Sequence, residues 1–532
     1  MSSMKIHFSF PESFEDGVDV KPYALMRDHV LPSLEDRRGK LESMYAQVMG
    51  RPEVDPVLLA GVTILQTMNR LPDRAAVAAC LYDARWRMAL NLPSEWTAFH
   101  PTTLVYFRSR LAKHRAGKIA IEAGLEAMRR TGYLKGRRAV RVDSTHMLGL
   151  VADMSRLECV RETLRLTLNF LSAFGGPEAW EPWYSRYAER NDQDLRRASV
   201  ERLRSTMAQA GNDTRDVLER AGTMGSAVVK SRPVALLARV FDEQFEIVDE
   251  AAPAQRKAAL ANAVQNPHDP EAVWCTKGSL GKRGWVGYKA QICETAPEEP
   301  RRKGEPTEAV ITAIVTQSAT ASDNGSLSVA LAAHTANGEV APETAFADAG
   351  YINANELAKA DASGYELCGP VGAPPHSGTR FGTDAFRVDI PNRSAVCPGG
   401  KLSSECSRIN EAGRHTVQYY FAWARSDCSA CPLSDRCLST RKLSPRRSIQ
   451  VGAHHMLVQA RRELCKTIDY QIRMHRRSGI EGSNSELKRG YDARQSRYRG
   501  LKKTDVQMQF AGAACNLRRW AARSVWLLKE NR

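Results

Sequence analysis

The segment RAVRVD, residues 138–143, decides how the middle of this chain is interpreted. Apolar and polar residues alternate along it, which predicts a β-strand that ends on Asp143. A second apolar run, TAFAD at 344–348, ends in the same way on Asp348. Each acid would project from the edge of a buried sheet, so the two can converge on one point. For either acid alone, a turn or cap residue remains the alternative.

Strand and helix patterns alternate beyond these two runs, which predicts an α/β fold with a mixed sheet flanked by helices. Strands are predicted at 284–293, 308–316, 344–348 and 364–368, and helices at 323–334 and 353–360. We place the core of the fold in residues 136–150 and 280–370. An apolar stripe at helical spacing from Leu157 to Leu171 opens a helical insertion over 151–270, interpreted as a structural or protein-contact segment.

The region before the core is predicted to be helical. Leu58, Val62, Leu65 and Met68 recur with a period near 3.6 residues. Three short helices carrying basic residues indicate a helix-turn-helix-like DNA-binding unit, or else a plain helical bundle with a charged face. We assign residues 1–130 to a helical N-terminal DNA-binding domain.

The composition is that of a folded protein, with 43% hydrophobic and 26% charged residues. Its net charge of +16 favours a polyanionic partner such as nucleic acid, although a merely basic surface would give the same value. We find neither an apolar run of membrane-spanning length nor a secretory signal. The sequence therefore predicts a cytoplasmic protein, associated with the nucleoid if its partner is DNA, and no membrane contact.

The third acidic candidate lies in the helical stretch MHRRSGIEGSNSELKRG, residues 474–490. Arg477, Glu481 and Lys488 are spaced so that one helix face would carry an acid between two cations. Glu486 competes with Glu481, but it lies about 140° away around a helix and cannot face the same metal ions. Three carboxylates that converge from rigid elements could hold two Mg²⁺ ions for phosphodiester chemistry. A solvated helix with routine ion pairs is the alternative.

A basic segment follows this helix, in the region 453–532 that we assign to the candidate catalytic helix and a basic C-terminal segment. Its cations are Lys488, Arg489, Arg494, Arg497, Arg499, Lys502 and Lys503, with Tyr491 and Tyr498 between them. Cations interleaved with aromatic residues suit a track for a DNA backbone, whereas a solvated basic face would need no partner.

Four of the 12 cysteines cluster in a Cys-rich insertion at 371–450. Cys397 is followed by Cys428, Cys431 and Cys437, and four thiolates of this kind could hold one tetrahedral Zn²⁺. The segment is expected to be loop-rich and to have little apolar content for a core of its own, so a metal would staple it. Four reduced thiols in a small β-region are the alternative.

These motifs, in this order, resemble those of bacterial insertion-sequence transposases of the DDE class. The family carries an Asp on its first core strand, matched by Val142-Asp143-Ser144-Thr145, and a second in the pattern A-D-x-G-Y, matched at 347–351. Its third block, Y-x2-R-x3-E-x6-K, is matched by Arg477, Glu481 and Lys488, while Met474 replaces the tyrosine. The resemblance covers residues 50–520 and implies an RNase H-like catalytic core behind a helical N-terminal domain.

The resemblance also implies an activity, namely metal-dependent DNA strand cleavage and strand transfer. Asp143, Asp348 and Glu481 would hold two Mg²⁺ ions, for which Mn²⁺ can substitute, while Arg477 and Lys488 would grip phosphates. The implied partners are double-stranded DNA, both element ends and target, and further copies of the chain in a homo-oligomer. A transposase-derived DNA-binding protein without catalysis, or another two-metal nuclease, is the alternative function.

Overall fold

The N-terminal part of the computed structural model is a group of short helices. The structure describes residues 17–45, 54–151, 154–188, 195, 198–247, 252–276, 284–299, 301–372, 380–410, 417–438 and 446–531. The helices are α1 Lys21–Leu25, α2 Leu31–Glu35, α3 Arg38–Glu42, α4 Pro56–Asn69, α5 Asp73–Tyr82, α6 Ala84–Ala89, α7 Thr102–Lys113 and α8 Ile119–Arg130, with a π-helical turn at Met26–Val30. Asp55 caps α4 by accepting a hydrogen bond from the Val57 amide at 2.8 Å. The predicted helical character of this region is confirmed.

The first core strand, β1 (Ala139–Leu148), is longer than the alternating pattern at 138–143 predicts. Asp143 therefore lies inside the strand and does not close it, which corrects the expectation from the sequence. The strand continues because residues 140–148 remain paired with a neighbouring strand over their whole length. The acid then projects from the surface of the sheet, from a backbone held on one side by a continuous ladder.

The insertion forms a helical unit with its own hydrophobic core. Its helices are α9 Arg156–Leu171, α10 Trp183–Tyr187, α11 Val200–Gly222, α12 Ser226–Val229 and α13 Arg232–Gln244. Helix α9 starts at a capping box, in which Ser155 and Glu158 satisfy each other's backbone amides. Two short paired strands, β2 (Phe245–Glu246) and β3 (Ala254–Gln255), lie where continuous helix was predicted.

The remaining core elements complete one six-stranded mixed sheet. They are β4 Val273–Thr276, β5 Gly284–Thr295, β6 Ile311–Ser318, α14 Ser326–Ala336, β7 Thr344–Phe346, α15 Ala354–Ala362 and β8 Glu366–Cys368. Strand β1 pairs antiparallel with β5 and parallel with β7, while β4 and β6 both pair with β5 and β8 pairs with β7. This mixed sheet with flanking helices confirms the predicted RNase H-like α/β fold.

The Cys-rich segment contains more regular structure than its composition suggests. It holds a hairpin of β9 Arg387–Asp389 and β10 Ser394–Val396, a sheet of β11 Glu405–Asn410, β12 Val417–Ala422 and β13 Ser448–Gly452, and helix α16 Arg425–Ser429. Phe386, Phe421 and Trp423 are fully buried in a small core of this segment. The expectation that it could not build a core of its own was therefore wrong, because a few large aromatic side chains provide enough buried surface.

The C-terminal part returns to the sheet. It consists of α17 His455–Leu464, α18 Ile468–Met474, α19 Gly479–Gly490 and α20 Leu501–Glu530. Helix α20 packs against β6 and against the N-terminal helices α1, α4, α7 and α8, so that the ends of the chain share one hydrophobic core. Although α20 has 30 residues, it is not apolar enough to cross a bilayer, and the same holds for every other helix in the described part of the chain.

Candidate active site

The pairing of β1 with β7 brings Asp143 and Asp348 to the same level of the sheet. The two strands run parallel, with Arg141 opposite Phe346 in the last registered pair. Asp143 and Asp348 each lie two residues further along the chain. Both are half-buried, and Asp348 lies in the turn just beyond the end of β7. Adjacent parallel strands in this register place the two carboxylates beside each other.

Hydrogen bonds orient both carboxylates. Asp143 accepts from the Ser144 amide at 2.8 Å through Oδ1 and from the Asn484 side-chain amide at 2.9 Å through Oδ2. Asp348 accepts from the Gly350 amide at 2.8 Å. These donors restrict the rotation of each carboxylate.

Tyr351, fully buried, lies among the acids. Its pKa is raised far above the ordinary value by burial, and the negative charges of Asp323, Asp143 and Asp348 raise it further. The phenol donates a hydrogen bond of 2.6 Å to Gln291 on β5. Tyr351 therefore remains neutral at any working pH and packs beneath the site as a structural residue.

Asp323 is an acid that the sequence analysis missed. It ion-pairs with Lys289 at 3.2 Å, and Lys289 also donates to the Ala321 carbonyl at 2.7 Å. Asp323 lies in the loop before α14, outside any strand pattern, so no periodicity in the sequence indicates it. Its position near Tyr351 adds a negative charge close to the two strand acids.

Helix α19 brings the third acid to this side of the sheet. Asn484, which contacts Asp143, lies three residues after Glu481, so the two side chains share a helix face. The Glu481 side chain is 67% exposed and lies 3.8 Å from Arg477. Arg477 itself belongs to a 3₁₀ turn, His475–Ser478, that precedes α19. The predicted helical stretch is therefore divided into a 3₁₀ turn and α19, and Arg477 still lies beside Glu481, as the spacing predicts.

The opposite side of α19 is fixed by a buried ionic network. Glu294 on β5, fully buried, accepts from Arg141 at 2.6 Å, from Arg519 at 3.1 Å and from Ser483 at 2.6 Å. Arg519 also donates to Ser483 at 2.7 Å and to Glu486 at 2.8 Å. Glu486 is thus occupied by a structural cation on the far side of the helix from Asp143.

Tight packing at the start of α19 reinforces this attachment. Arg141 reaches under the helix and donates to the Arg476 carbonyl at 3.0 Å. A side-chain carbon added at Gly479 would lie 2.0 Å from the Arg141 guanidinium, so a larger residue here would have to displace Arg141. The first turn of the helix is consequently held directly against β1.

The oxygen atoms at the site suit a hard divalent cation, since carboxylate and amide oxygens are the ligands that Mg²⁺ and Mn²⁺ prefer. Within the described residues, no three His, Cys, Asp or Glu side chains lie close enough together to hold one metal ion. Glu481, whose side chain is 67% exposed, therefore does not form a three-carboxylate group with Asp143 and Asp348 in this structure. Buried beside Asp143, the Asn484 Oδ1 atom accepts no hydrogen bond from any described residue.

The basic segment after α19 runs beside the end of β1. The Leu148 amide donates to the Arg494 carbonyl at 3.0 Å, and the Ser496 amide donates back to Leu148 at 2.8 Å. Lys488 is partly buried, whereas the other cations of this segment are exposed, namely Arg489, Arg494, Arg497, Arg499, Lys502 and Lys503. Arg497 pairs with Asp492, which also binds Arg70 of the N-terminal part at 2.8 Å. The structure thus brings this basic surface to the strand that carries Asp143.

The four clustered cysteines line one cavity. The Leu433 amide points at the Cys431 sulfur and the Arg447 amide at the Cys428 sulfur, both at 3.4 Å. Burial raises the pKa of Cys437, Arg447 lowers it, and the thiols of Cys428, Cys397 and Cys431 raise it again. The sulfurs converge without lying close enough to form a metal group as they stand.

Two family models match the chain. The first is described as a transposase DDE domain and covers residues 396–521, while the second, described as a transposase domain of the DUF772 type, covers residues 13–110. The chain matched no curated protein and no solved structure. The two matches, together with the mixed sheet, support an insertion-sequence transposase of the DDE class. The first match includes Glu481 but neither Asp143 nor Asp348.

Proposed function

We propose that this transposase cleaves DNA at the ends of an insertion sequence and joins the freed strands to target DNA, with Asp143, Asp348 and Glu481 as its catalytic carboxylates. The single observation that carries this proposal is the placement of Asp143. It lies in β1, whose registered pairing with the parallel strand β7 ends two residues before Asp348, and it is hydrogen-bonded to the helix that carries Glu481. The elements that carry the three acids are thus connected at Asp143, which supports their acting together in phosphodiester chemistry.

The three carboxylates would hold two Mg²⁺ ions, for which Mn²⁺ can substitute. When bound, such ions supply an activated water and stabilise the charge on the leaving oxygen. Asp143 and Asp348 are pre-oriented by their amide donors. Glu481 does not contact these two acids in the structure, and its carboxylate lies 3.8 Å from Arg477. In the proposed function a DNA phosphate forms an ion pair with Arg477. The Glu481 carboxylate is then free to approach Asp143 and Asp348.

The basic surface beside β1 is the proposed path of the DNA backbone. Arg477, Lys488, Arg489, Arg494, Arg497 and Arg499 would contact phosphates of the element end. The helical residues 1–130 would bind double-stranded DNA as well, and further copies of the chain would pair the two ends and engage the target. On this proposal the protein is associated with the nucleoid, and residues 136–150 and 280–370 form its catalytic core.

The test is an assay with purified protein and DNA that carries the element's own terminal repeats. Wild-type protein is expected to produce both nicked and joined products in Mg²⁺, and Asp348→Asn protein neither. Joined product from the Asp348→Asn variant at the normal rate would refute the role of that residue. DNA binding without cleavage by the wild type would favour the non-catalytic alternative, and cleavage without joining would favour a hydrolytic nuclease.

We also propose that Cys397, Cys428, Cys431 and Cys437 hold one structural Zn²⁺ in the segment 371–450. Amides that point at the Cys431 and Cys428 sulfurs support this, because such donors stabilise thiolates bound to a metal. Since the segment has its own small core, the ion would add stability to a fold that already exists.

Zinc content of the purified protein tests this assignment. We expect about one Zn²⁺ per chain, lost in Cys431→Ser and retained in Cys406→Ser, a matched control in the same segment. The zinc assignment would be contradicted if the wild-type protein contained no metal and was as stable as the same protein with Zn²⁺ added. The four cysteines would then be reduced thiols.

A further inference from the structure

Asn484 reaches Asp143 from α19, outside β1. Its Nδ2 atom donates to Asp143 Oδ2 at 2.9 Å, while Asp143 Oδ1 accepts from the Ser144 amide. Each carboxylate oxygen has two lone pairs, so accepting one hydrogen bond does not by itself prevent an oxygen from binding a cation. The hydrogen bond also fixes the amide orientation, because only the nitrogen end can face a carboxylate.

The other end of the same amide has no acceptor role in the described structure. Asn484 Oδ1 is buried, and none of the described groups donates a hydrogen bond to it. Leaving a buried acceptor empty is costly, and such atoms in folded proteins usually have a partner such as an ion or an ordered water. This oxygen belongs to the same amide group whose nitrogen binds the Asp143 carboxylate. Beside a proposed metal-binding carboxylate, a cation is the expected partner.

Asn484 is not needed to attach α19 to the core. That attachment uses Ser483 and Glu486, both bound to Arg519, and Ser483 bound to Glu294. The attachment of α19 therefore does not explain why Asn484 points toward Asp143 with a buried oxygen that has no partner among the described residues.

We propose that Asn484 is a fourth residue of the metal site, resting on the proposed function. Its amide nitrogen fixes Asp143, and its carbonyl oxygen ligates the divalent cation that Asp143 holds. Amide oxygens are hard, neutral ligands accepted by Mg²⁺ and Mn²⁺. A neutral ligand at this point would complete the coordination of an ion near Asp143 and Asp348 without adding a further negative charge to the acids already there.

Binding of Mn²⁺ to the full-length protein without DNA, measured by titration calorimetry, tests the proposal independently of activity. Asn484→Ala removes both the donor and the ligand, and we expect at least a tenfold weaker affinity, in line with substitutions around metal ligands. Asn484→Asp restores an oxygen ligand, so its affinity should return to the wild-type value or exceed it. Ser485→Ala, a neighbour on the same helix, should bind as wild type does.

Three outcomes would overturn the inference or its basis. Wild-type affinity in Asn484→Ala, with affinity lost in Asp143→Asn, would refute the role of Asn484 and leave the proposed function intact. Weaker binding by Asn484→Asp than by Asn484→Ala would show that the amide acts only by donating to Asp143, which also overturns the assignment. Unchanged binding in Asp143→Asn would refute the metal site itself. Thermal unfolding without metal confirms that each variant is folded.

Discussion

The two faces of α19 differ in how completely their polar groups are paired. On the anchored face, Ser483 and Glu486 join Glu294 and Arg519 in a buried network. On the site face, Glu481 is largely exposed and Asn484 presents a buried oxygen without a donor among the described residues. One helix thus combines a face whose polar groups are paired within the protein with a face whose polar groups are paired less completely. Glu486 is bound by Arg519 and Glu481 is largely exposed. This difference distinguishes the structural acid from the catalytic candidate more clearly than their spacing in the sequence does.

The largest expected effect is the contrast between Glu481→Gln and Glu486→Gln. The first should reduce cleavage of element-end DNA by ~10³-fold or more, because metal-bound states lose several kcal/mol of stabilisation. It should leave the unfolding free energy unchanged, since Glu481 is exposed. The second should cleave at a rate within about tenfold of the wild type. Equal losses of cleavage in both variants would break the distinction between the two faces.

A second prediction concerns the anchored face itself. Arg519→Met leaves the Glu294 carboxylate buried with one cation fewer, and removing one partner of a buried pair costs about 3–5 kcal/mol. The measurement is chemical denaturation, with the exposed Arg518→Met as the matched control. A loss under about 1 kcal/mol would show that the network does not hold α19 in place.

A third and smaller effect is expected on the basic surface beside β1. Arg494→Ala and Arg499→Ala should each weaken binding to element-end DNA and reduce the slope of log affinity against log salt by about one. Binding curves at several salt concentrations measure this. Lys466→Ala serves as a control, because Lys466 is exposed but paired with Glu463 away from the segment. An unchanged slope in both arginine variants would remove this surface from the DNA path.

The smallest effect is expected at Tyr351. Because burial and the surrounding acids raise its pKa, the phenol is protonated throughout the working range. Tyr351→Phe should therefore leave the shape of the pH–rate profile unchanged between about pH 6 and 9. Loss of the bond to Gln291 should cost about 1 kcal/mol of stability. A profile that shifts in this variant would give Tyr351 a role in proton transfer.

The sequence by itself determined the fold class and the elements that carry the candidate site. These elements are marked by local patterns, which arise because one face of a strand or helix is buried. The patterns are the alternation around Asp143, the apolar run before Asp348 and the spacing around Glu481. They predicted the mixed α/β fold, most helices and the order of the three acids. They misjudged the length of β1 and the small core near the cysteines, because pairing and aromatic packing extend beyond a local window.

Only the tertiary structure decided which polar groups meet. Asn484 reaches Asp143 across 341 positions of sequence, and Glu294 meets Arg519 across 225. No periodicity encodes such partners, since each depends on the register of β1 with its neighbours and on the rotation of α19 about its axis. The same rotation turns Glu486 toward a buried arginine and Glu481 toward solvent. Packing therefore assigned roles that residue type and spacing left open.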